Sequence, residues 1–129
     1  MRMFWVSYGG FCLHAISYCA PHRACSEGCK FQFEEDGKSL WRYPTKWPID
    51  IHNQAQGIIT FSKLGYINPR YREFAETIAE WTIDNMQDSK GFFYFQKWPF
   101  FTNQTSYIRW SQGWMLLALC TLLDKKINE

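Results

Sequence analysis

The sequence predicts a mainly α-helical protein in which paired helices are joined by loops that carry short β-hairpins. Three observations predict this class: apolar residues recur at helical spacing, glycine turns precede short aromatic segments, and the same order of elements occurs twice. The chain has 129 residues, of which 47% are hydrophobic. This length and composition suit one domain with its own core, and we expect residues 1–129 to form a single domain.

A polar helix between residues 47 and 64 is the first element with clear signals. Pro48 lies where a helix can begin without losing a needed N–H, and Gly65 lies where one can end in a left-handed cap. Apolar residues recur at helical spacing between an acid, an imidazole and three amides: Asp50, His52, Asn53, Gln54 and Gln56. His52 and Gln56 are four residues apart and share a face. Because polar groups on a buried helix usually face a site, this segment is a candidate for function.

The segments upstream of this helix have weaker signals. Residues 11–33 predict two helical pieces interrupted at Pro21. Asp36-Gly37 is a typical turn pair, and the aromatic and apolar residues on either side of it suit short strands. We therefore expect a small hairpin before the polar helix.

Downstream, Asn68 and Pro69 open the clearest amphipathic helix, since a capping side chain is followed by proline at the first helical position. One stripe of this helix is apolar and the opposite side is charged. The chain then turns into an aromatic segment, 92–95, which predicts a strand. The last helix, 107 to about 124, is apolar around most of its circumference, so we expect it to be buried on nearly every side.

The order of elements repeats with a period of about 50 to 56 residues, a length typical of stacked or circular arrays. In each copy a helix and a glycine turn precede an aromatic segment, a Lys-Trp-Pro sequence and a helix that contains Gln-Gly. The motifs are Asp36-Gly37, Lys46-Trp47-Pro48 and Gln56-Gly57 in the first copy, and Lys90-Gly91, Lys97-Trp98-Pro99 and Gln112-Gly113 in the second. We infer that an outer amphipathic helix precedes a buried inner helix in each unit.

Three segments carry a resemblance to a known fold: Pro48-Ile49-Asp50-Ile51-His52 with Ala55-Gln56, Asp88-Ser89-Lys90-Gly91-Phe92-Phe93-Tyr94-Phe95, and Tyr107-Ile108-Arg109-Trp110-Ser111-Gln112 with Trp114-Met115. With the alternating helices, they resemble the α/α-toroid proteins of polysaccharide biosynthesis and modification, fold relatives of the unsaturated glucuronyl hydrolases and sugar epimerases. The resemblance covers roughly Phe31 to Leu123. It implies two helical hairpins of an (α/α)6-type toroid, an incomplete barrel similar to the C-terminal portion of such a protein. Residues 1–30 match the pattern poorly.

The resemblance implies a protein that processes or binds carbohydrate, with uronic-acid-containing polysaccharide as the expected substrate. In a toroid the pocket lies at the ends of the inner helices. There an anionic sugar needs a cation for its carboxylate, flat aromatic faces and a group that transfers a proton. The candidate catalytic residues are Asp50 and His52, and the candidate substrate-binding residues are Trp98, Tyr107, Arg109, Trp110 and Gln112. We expect neither a metal nor a cofactor.

Each of these residues also has a structural interpretation. Asp50 suits a helix N-cap that interacts with the helix dipole, and His52 suits a hydrogen-bonded core histidine. Arg109 can pair with a carboxylate of the same fold, and the aromatic residues can belong to the core. Whether the chain is an enzyme, of the hydrolase, lyase or epimerase type, therefore stays open at this point.

Two other functional classes fit the sequence. Gln87-x3-Gly91-x-Phe93 is similar to the Gln-Trp repeat of terpenoid-cyclase and prenyltransferase toroids, although Phe93 replaces the tryptophan. A non-catalytic scaffold, or a truncated gene product, is the other. Since repeat arrays commonly need three or more units, a chain of two hairpins would bury its inner helices by pairing with another subunit, which makes a homo-oligomer a further expectation.

Charge, hydropathy and cysteine content argue against several classes. The 14 basic and 12 acidic residues are interspersed, so no basic patch indicates nucleic acid. The longest apolar run, 114–120, is far shorter than the roughly 20 residues of a membrane-spanning helix. Five cysteines, with an incomplete Cys25-x3-Cys29 pair, predict neither a closed disulfide framework nor a zinc site. We expect reduced cysteines in a cytoplasmic protein; export is the alternative, because residues 4–20 loosely mimic a signal peptide.

Overall fold

The computed structural model describes residues 32–41 and 44–127. In this part of the chain, three α-helices pack beside a small antiparallel sheet of three strands. The strands are β1 (Ile49–Asp50), β2 (Gln96–Lys97) and β3 (Thr102–Asn103), and the helices are α1 (Ile51–Leu64), α2 (Pro69–Met86) and α3 (Trp114–Ile127), with a π-helical segment (Ile108–Gly113) directly before α3. The predicted mainly helical class with short β elements in the connections is confirmed. The described residues do not form a toroid or a barrel.

Helix α1 is central, since it packs against both α2 and α3, which barely touch each other. Near its start, the ring of His52 contacts the ring of Trp114 at the start of α3. On another side, Gln54 donates a hydrogen bond to Thr82 in the C-terminal half of α2. Helices α1 and α3 therefore run in the same direction, and α2 runs antiparallel to them.

The core lies where α1 meets its neighbours. Eleven of the 14 residues of α1 are buried, against five of the 18 residues of α2, which keeps one side in water. The ring of Phe33 makes edge-to-face contacts with Phe61 of α1 and Phe74 of α2. It lies directly over Gly57, where a side chain would collide with it. Burial of these aromatic rings joins the segment before β1 to the helices.

The start of α2 is as predicted. Asn68 caps the helix by accepting a hydrogen bond from the backbone N–H of Arg70 at 3.0 Å, and Pro69 is the first helical residue. Both signals are local, because the capping oxygen and the missing proline N–H act on the first turn alone. The sequence therefore sufficed to place this helix start.

The polar helix begins later than predicted. Pro48 follows a cis peptide bond with Trp47 and precedes β1, and α1 begins at Ile51 with Asp50 as its N-cap. Strand β1 pairs with β2, so backbone groups that the prediction assigned to the helix bond to a neighbouring strand instead. The left-handed cap at Gly65 was also wrong, because this residue has φ −57°, a right-handed conformation.

The last helix and the aromatic strand differ from the predictions as well. Leu116, Leu117 and Leu123 of α3 are 66%, 51% and 58% exposed, so burial on nearly every side was wrong. A helix that is apolar on all sides favours burial, but its sequence does not determine how many other elements pack against it. The strand after the second turn lies at β2 rather than at 92–95, where Phe93 makes only an isolated bridge to Gln87.

The two predicted glycine turns close hairpins of the same geometry. Gly37 has φ 90° and Gly91 has φ 93°, the left-handed region that favours glycine. In each hairpin, the carbonyl of the residue three positions before the glycine accepts a hydrogen bond from the glycine N–H. The backbone N–H of that same residue donates to the carbonyl of the residue that follows the glycine. These bonds are Gly37 to Glu34 (3.0 Å), Glu34 to Lys38 (2.9 Å), Gly91 to Asp88 (2.8 Å) and Asp88 to Phe92 (2.8 Å). The sequence repeat is thus also a repeat of backbone structure.

A glutamine from the following helical segment holds each hairpin. The Oε1 of Gln54 accepts from the backbone N–H of Ser39 at 2.8 Å, and the Oε1 of Gln112 accepts from that of Phe93 at 2.9 Å. Each Nε2 donates to a carbonyl of the same hairpin, that of Gly37 at 3.2 Å and that of Phe93 at 2.7 Å. Since Ser39 and Phe93 stand at the same place in their hairpins, the two glutamines are equivalent.

This equivalence corrects the register of the repeat. The sequence aligned Gln56-Gly57 with Gln112-Gly113, whereas the structure gives the role of Gln112 to Gln54. Gln56 lies elsewhere on α1, and no hydrogen bond among the described residues joins it to either hairpin. The longer connection that carries β2 and β3 shifts the second helix relative to its hairpin, so a fixed period misplaced the glutamine.

The predictions for residues 11–31, including the two helical pieces and the four cysteines Cys12, Cys19, Cys25 and Cys29, lie outside the described residues. Cys120 is a free, exposed cysteine on α3. Within the ranges that the structure describes, no helix is both long and apolar enough to cross a membrane.

Candidate functional site

The N-terminal ends of α1 and α3 meet beside the small sheet. Strand β1 continues into α1 without a loop, and the backbone N–H of Ile51 donates to the carbonyl of Phe95 at 3.1 Å. Across the sheet, Asp50 pairs with Gln96 and Gln96 pairs with Asn103. Because directly paired residues point to the same face of a sheet, these three polar side chains form one row next to the start of α1.

Asp50 is buried, and both of its carboxylate oxygens accept hydrogen bonds. Its Oδ1 accepts from the backbone N–H of His52 at 2.8 Å, which is the N-cap contact, and its Oδ2 accepts from Nε2 of Gln96 at 2.9 Å. The cap satisfies one of the free N–H groups at the start of α1 and places negative charge at the positive end of the helix dipole. The structural interpretation of Asp50 is therefore confirmed, while its catalytic role stays a prediction.

His52 lies half-buried, with its ring packed edge-on against Trp114 at 4.7 Å between ring centroids. Burial lowers the pKa of this imidazole from its ordinary value, and the nearby negative charge of Asp50 partly opposes that shift. The neutral form is thus favoured at neutral pH. Its Nδ1 is buried and has no hydrogen-bond partner among the described residues, so the expectation of a hydrogen-bonded core histidine does not hold at this atom.

Gln56 lies one turn after His52 on the same side of α1, as its spacing predicted. It is 2% exposed, and its Nε2 also lacks a hydrogen-bond partner within the described parts of the chain. A buried donor without a partner costs about 1–3 kcal/mol, so such a group usually has a structural or functional reason. This side of α1 therefore carries two buried polar atoms, His52 Nδ1 and Gln56 Nε2, that have no hydrogen-bond partner among the described residues.

The connection from β2 to the π-helical segment carries two of the five predicted binding residues, Trp98 and Tyr107. The ring of Trp98 is stacked on Phe101 with centroids 5.7 Å apart and an angle of 11° between planes. Tyr107 packs edge-on against Phe95 at 4.8 Å. Trp98 is half-buried, whereas Phe101 and Tyr107 are exposed. The four rings thus form two contacting pairs, and one ring of each pair, Phe101 and Tyr107, also keeps exposed surface.

The other predicted binding residues lie in the π-helical segment and differ in role. Arg109 and Trp110 are exposed there. Gln112 is half-buried and bonds to both backbone groups of Phe93. The side chain of Gln112 therefore holds the second hairpin. These contacts give no support to its predicted role in binding substrate.

The structure thus groups the predicted residues into two neighbouring sets. Asp50 and His52 form the first, at the start of α1, where Trp114 joins the two helix ends. Trp98, Tyr107 and the π-helical segment form the second set, on the connection that leads to α3. Both sets adjoin the same sheet, because Phe95 contacts Tyr107 through its ring and Ile51 through its carbonyl.

Two residues of the site were missed from the sequence. Gln96 holds Asp50, and Trp114 packs on His52. Gln96 lies in a two-residue strand that has no hydrophobic alternation to reveal its pairing. Trp114 stands in an apolar helix start, where its spacing alone does not show that it faces an imidazole.

Metal binding has no support in the described part of the chain, where no group of three or more His, Cys, Asp or Glu side chains could hold an ion. Comparison with known proteins gave no match: neither a family model nor a curated protein nor a solved structure is significantly similar to this chain.

Proposed function

We propose that the chain is part of an (α/α)6-type toroid and binds carbohydrate, with uronic-acid-containing polysaccharide as the ligand class. The observation that carries the proposal is the exposed apolar surface of the connection between β2 and α3. Phe100, Phe101, Tyr107, Ile108 and Trp110 each keep between 42% and 98% of their surface exposed. Several large apolar side chains exposed in one connection mark a binding surface rather than a core.

The chemistry of this surface suits a sugar. Four of the five side chains are aromatic, and flat rings stack on the apolar C–H faces of pyranose rings. Arg109 supplies an exposed cation that can hold a carboxylate through two parallel hydrogen bonds. Polar residues of the same connection, such as Gln104, provide amides for hydroxyl groups. A uronic acid combines these three features, an apolar face, hydroxyl groups and a carboxylate.

The helix arrangement supports the toroid as the architecture of which these residues are a part. A buried helix, α1, runs parallel to α3, and the amphipathic α2 returns on the outside. This is the alternation of inner and outer helices that a toroid repeats around its pocket. The candidate ligand surface then lies at the end of the barrel where the inner helices begin.

If the bound sugar is also chemically changed, His52 is the better candidate for accepting a proton. Its lowered pKa keeps the imidazole neutral at neutral pH, and a neutral imidazole can act as a base. Both carboxylate oxygens of Asp50 already accept hydrogen bonds. Its contribution is therefore to cap the start of α1 and to supply a negative charge close to His52. Elimination, hydration and epimerisation of a uronic acid all need such a group near a neutralised carboxylate.

The terpenoid-cyclase alternative has no comparable observation in its favour. Gln87 donates from its Nε2 to the carbonyl of Gly91 at 3.1 Å, and Phe93 bridges to Gln87 across the same hairpin. The residues of the Gln-Trp-like pattern thus serve the second hairpin.

Calorimetric titration with oligosaccharides of a uronic acid, and with neutral oligosaccharides of the same length, tests the binding proposal. Trp98→Ala and Tyr107→Ala should each weaken binding of both ligands by about 1–3 kcal/mol, the range found for losing a central aromatic contact. Arg109→Ala should weaken binding of the acidic ligand only. The matched control is Tyr66→Ala, because Tyr66 is an exposed aromatic residue at the other end of α1. Equal binding by wild type and the Trp98 and Tyr107 variants would remove this surface from the proposal.

Catalysis is tested separately with the same oligosaccharides, by following unsaturated, hydrated or epimerised products by NMR. His52→Gln should abolish turnover and leave binding within about twofold, since a proton acceptor affects the chemical step more than affinity. Asp50→Asn, which can keep the cap contact, should retain most of the activity. Loss of activity in Asp50→Asn with full activity in His52→Gln would reverse the assignment of these two roles.

A further inference from the structure

The face of the small sheet that carries Asp50 continues beyond its polar row into an aromatic pair. In the register of β2 and β3, Gln96 lies opposite Asn103. Two residues further on, the backbone N–H of Trp98 donates to the carbonyl of Phe101 at 2.8 Å, which continues the same register. Residues two apart along a strand point to the same face. The stacked rings of Trp98 and Phe101 therefore lie beside the two amides, on one surface that we call the Asp50 face.

The opposite face of these strands packs on α2. Lys97 lies between Gln96 and Trp98 in the sequence, so its side chain points the other way. Its Nζ donates to Oδ1 of Asn85 at 3.3 Å and lies 5.8 Å from the centre of the Trp81 ring, and both partners belong to α2. The Asp50 face is therefore turned away from α2, and its two amides and its aromatic pair keep part of their surface in water.

Both amides on the Asp50 face have hydrogen-bonding capacity that the described residues do not use. Gln96 donates through Nε2 to Asp50, while its Oε1 accepts from none of them. Asn103 accepts at Oδ1 from the backbone N–H of Thr105 at 3.1 Å, while its Nδ2 donates to none of them. Each amide is thus fixed by one bond and offers one group, an acceptor on Gln96 and a donor on Asn103. Because the Cβ atoms of directly paired residues are about 4.5–5.5 Å apart, both groups lie within reach of one small ligand.

We propose that Gln96 and Asn103 bind two neighbouring hydroxyl groups of a sugar unit that packs on the Trp98–Phe101 pair. The inference rests on the proposed function and assigns one subsite within it. A hydroxyl group both donates and accepts, so one hydroxyl donates to Oε1 of Gln96 while its neighbour accepts from Nδ2 of Asn103.

The spacing of the two pairs suits such a ligand. The aromatic pair and the amide pair are two residues apart along the strands, roughly 6.6 Å at a rise of about 3.3 Å per residue. This distance is comparable with the width of a pyranose ring, whose apolar C–H face would meet the aromatic rings and whose edge carries the hydroxyl groups. The amide pair also adjoins Asp50, so the sugar unit would lie next to the start of α1, where His52 lies.

Calorimetric titration of the full chain with a glucose tetrasaccharide and with a glucuronic acid tetrasaccharide tests the assignment. Asn103→Ser keeps an oxygen for the Thr105 N–H but loses the donor, and Gln96→Lys keeps a donor for Asp50 but has no acceptor. Each variant should weaken binding of the neutral ligand about three- to tenfold, the range for one neutral hydrogen bond. Asn103→Ser should weaken binding of the acidic ligand by the same factor, because a hydroxyl contact does not depend on the carboxylate.

The matched control is Thr102→Val, since Thr102 precedes Asn103 on β3 and points to the opposite face. It should bind both ligands within twofold of wild type. Wild-type affinity in both amide variants would overturn the subsite and leave the proposed function standing. A wild-type protein that binds neither tetrasaccharide would overturn the proposed function and the subsite with it.

Monodeoxy analogues of the glucose tetrasaccharide separate a direct contact from a change in fold. Removing the hydroxyl that Asn103 holds should weaken binding to wild type by about the same factor as Asn103→Ser does. The same analogue should lose no further affinity for the Asn103→Ser variant, since the contact is already absent there. Equal losses in wild type and variant for every analogue would show that Asn103 contacts no hydroxyl group, which would overturn the proposal.

Discussion

Replacing Gln54 by methionine removes the amide that holds the first hairpin, while the length of the side chain stays nearly the same. The side chain of Gln54 is completely buried and makes three hydrogen bonds, to Ser39 at 2.8 Å, to Gly37 at 3.2 Å and to Thr82 at 2.8 Å. Methionine is flexible and similar in volume, so the substitution tests the hydrogen bonds rather than a cavity.

The expected loss follows from what each partner retains. Ser39 is fully buried, and its backbone N–H loses its acceptor, which costs about 1–3 kcal/mol. The carbonyl of Gly37 loses a donor, which adds about 1 kcal/mol. The hydroxyl of Thr82 keeps its bond to the carbonyl of Ile78 at 2.7 Å and adds little. We expect Gln54→Met to lower the free energy of unfolding by about 2–4 kcal/mol, a large share of the roughly 5–15 kcal/mol that stabilises a typical domain.

Two further glutamine substitutions give the scale. Gln112→Met removes the equivalent clamp in the second hairpin, but Gln112 is only half-buried, so water can replace part of the lost bonding and we expect about 1–2 kcal/mol. Gln104→Met is the control, because Gln104 is exposed and should change stability by less than about 0.5 kcal/mol. The assay is urea unfolding followed by tryptophan fluorescence, with the midpoints compared at equal slopes.

The order of the three effects tests the reasoning. A Gln54→Met protein as stable as the Gln104→Met control would show that the amide does not hold the hairpin. A larger loss in Gln112→Met than in Gln54→Met would contradict the expectation that the more deeply buried glutamine contributes more to stability. A change in slope would signal altered compactness and require a second probe, such as circular dichroism, before the midpoints are compared.

Three further predictions follow from the same contacts. Gly91→Ala should cost about 1–2 kcal/mol for the positive φ alone, while Gly37→Ala should cost clearly more because its Cβ would press on the backbone of α2; equal urea midpoints for the two variants would contradict this. Asp50→Ala should lower stability by about 1–2 kcal/mol through loss of the cap, and Asp50→Asn by less, as measured in the same assay. Burial lowers the pKa of His52 below 6.5, so the unfolded chain binds a proton at this imidazole more readily than the folded chain does. The free energy of unfolding should therefore fall as pH drops below about 6.5. His52→Gln should reduce this pH dependence, as measured by urea midpoints between about pH 7.5 and 5.

The parts of the fold that the sequence predicted correctly depend on local chemistry. Asn68 and Pro69 placed the start of α2, because a cap and a missing N–H act within one turn. Gly37 and Gly91 marked the two turns, because their positive φ values are unfavourable for other residues. In both cases the signal and its structural consequence lie within a few residues of each other.

The parts that were wrong depend on which neighbours a segment finds. The apolar circumference of α3 predicted burial, but Leu116 and Leu117 each keep half or more of their surface exposed. The start of α1 was misplaced because β1 pairs with β2, a partner nearly fifty residues away. Likewise, no local pattern distinguishes Gln54 from Gln56, since only the position of the hairpin decides which amide reaches it.

The candidate site shows the same division. The sequence allows Asp50 to be either an N-cap or a catalytic group, and the structure confirms the cap. The N-cap could be predicted because the capping side chain acts within the first turn of its own helix. That His52 packs on Trp114 could not be foreseen, because the contact joins two helix ends that the sequence does not bring together. The exposure of the aromatic connection also depends on what surrounds it, and composition alone left core and ligand surface as alternatives.

The two inner helices begin differently, and this difference locates the proposed ligand surface. Asp50 caps α1, which starts at once as an α-helix, whereas the segment before α3 starts without a side-chain cap and is π-helical from Ile108 to Gly113. There the carbonyl of Tyr107 accepts hydrogen bonds from both backbone N–H groups of Ser111 and Gln112, at 3.0 and 3.1 Å, and from the Ser111 hydroxyl at 2.7 Å.

The hydrogen bonds of a π-helical turn enclose one more residue than those of an α-helical turn, and the π-helical turn is less stable. It therefore persists where contacts other than the backbone hydrogen bonds favour it. In this chain it coincides with the exposed Ile108, Arg109 and Trp110. The hairpin and its glutamine are the same in both units, and the start of the inner helix is not. Because the repeat is kept where it packs and altered where it is exposed, we place the aromatic part of the proposed ligand surface in the second unit, beside the capped start of α1.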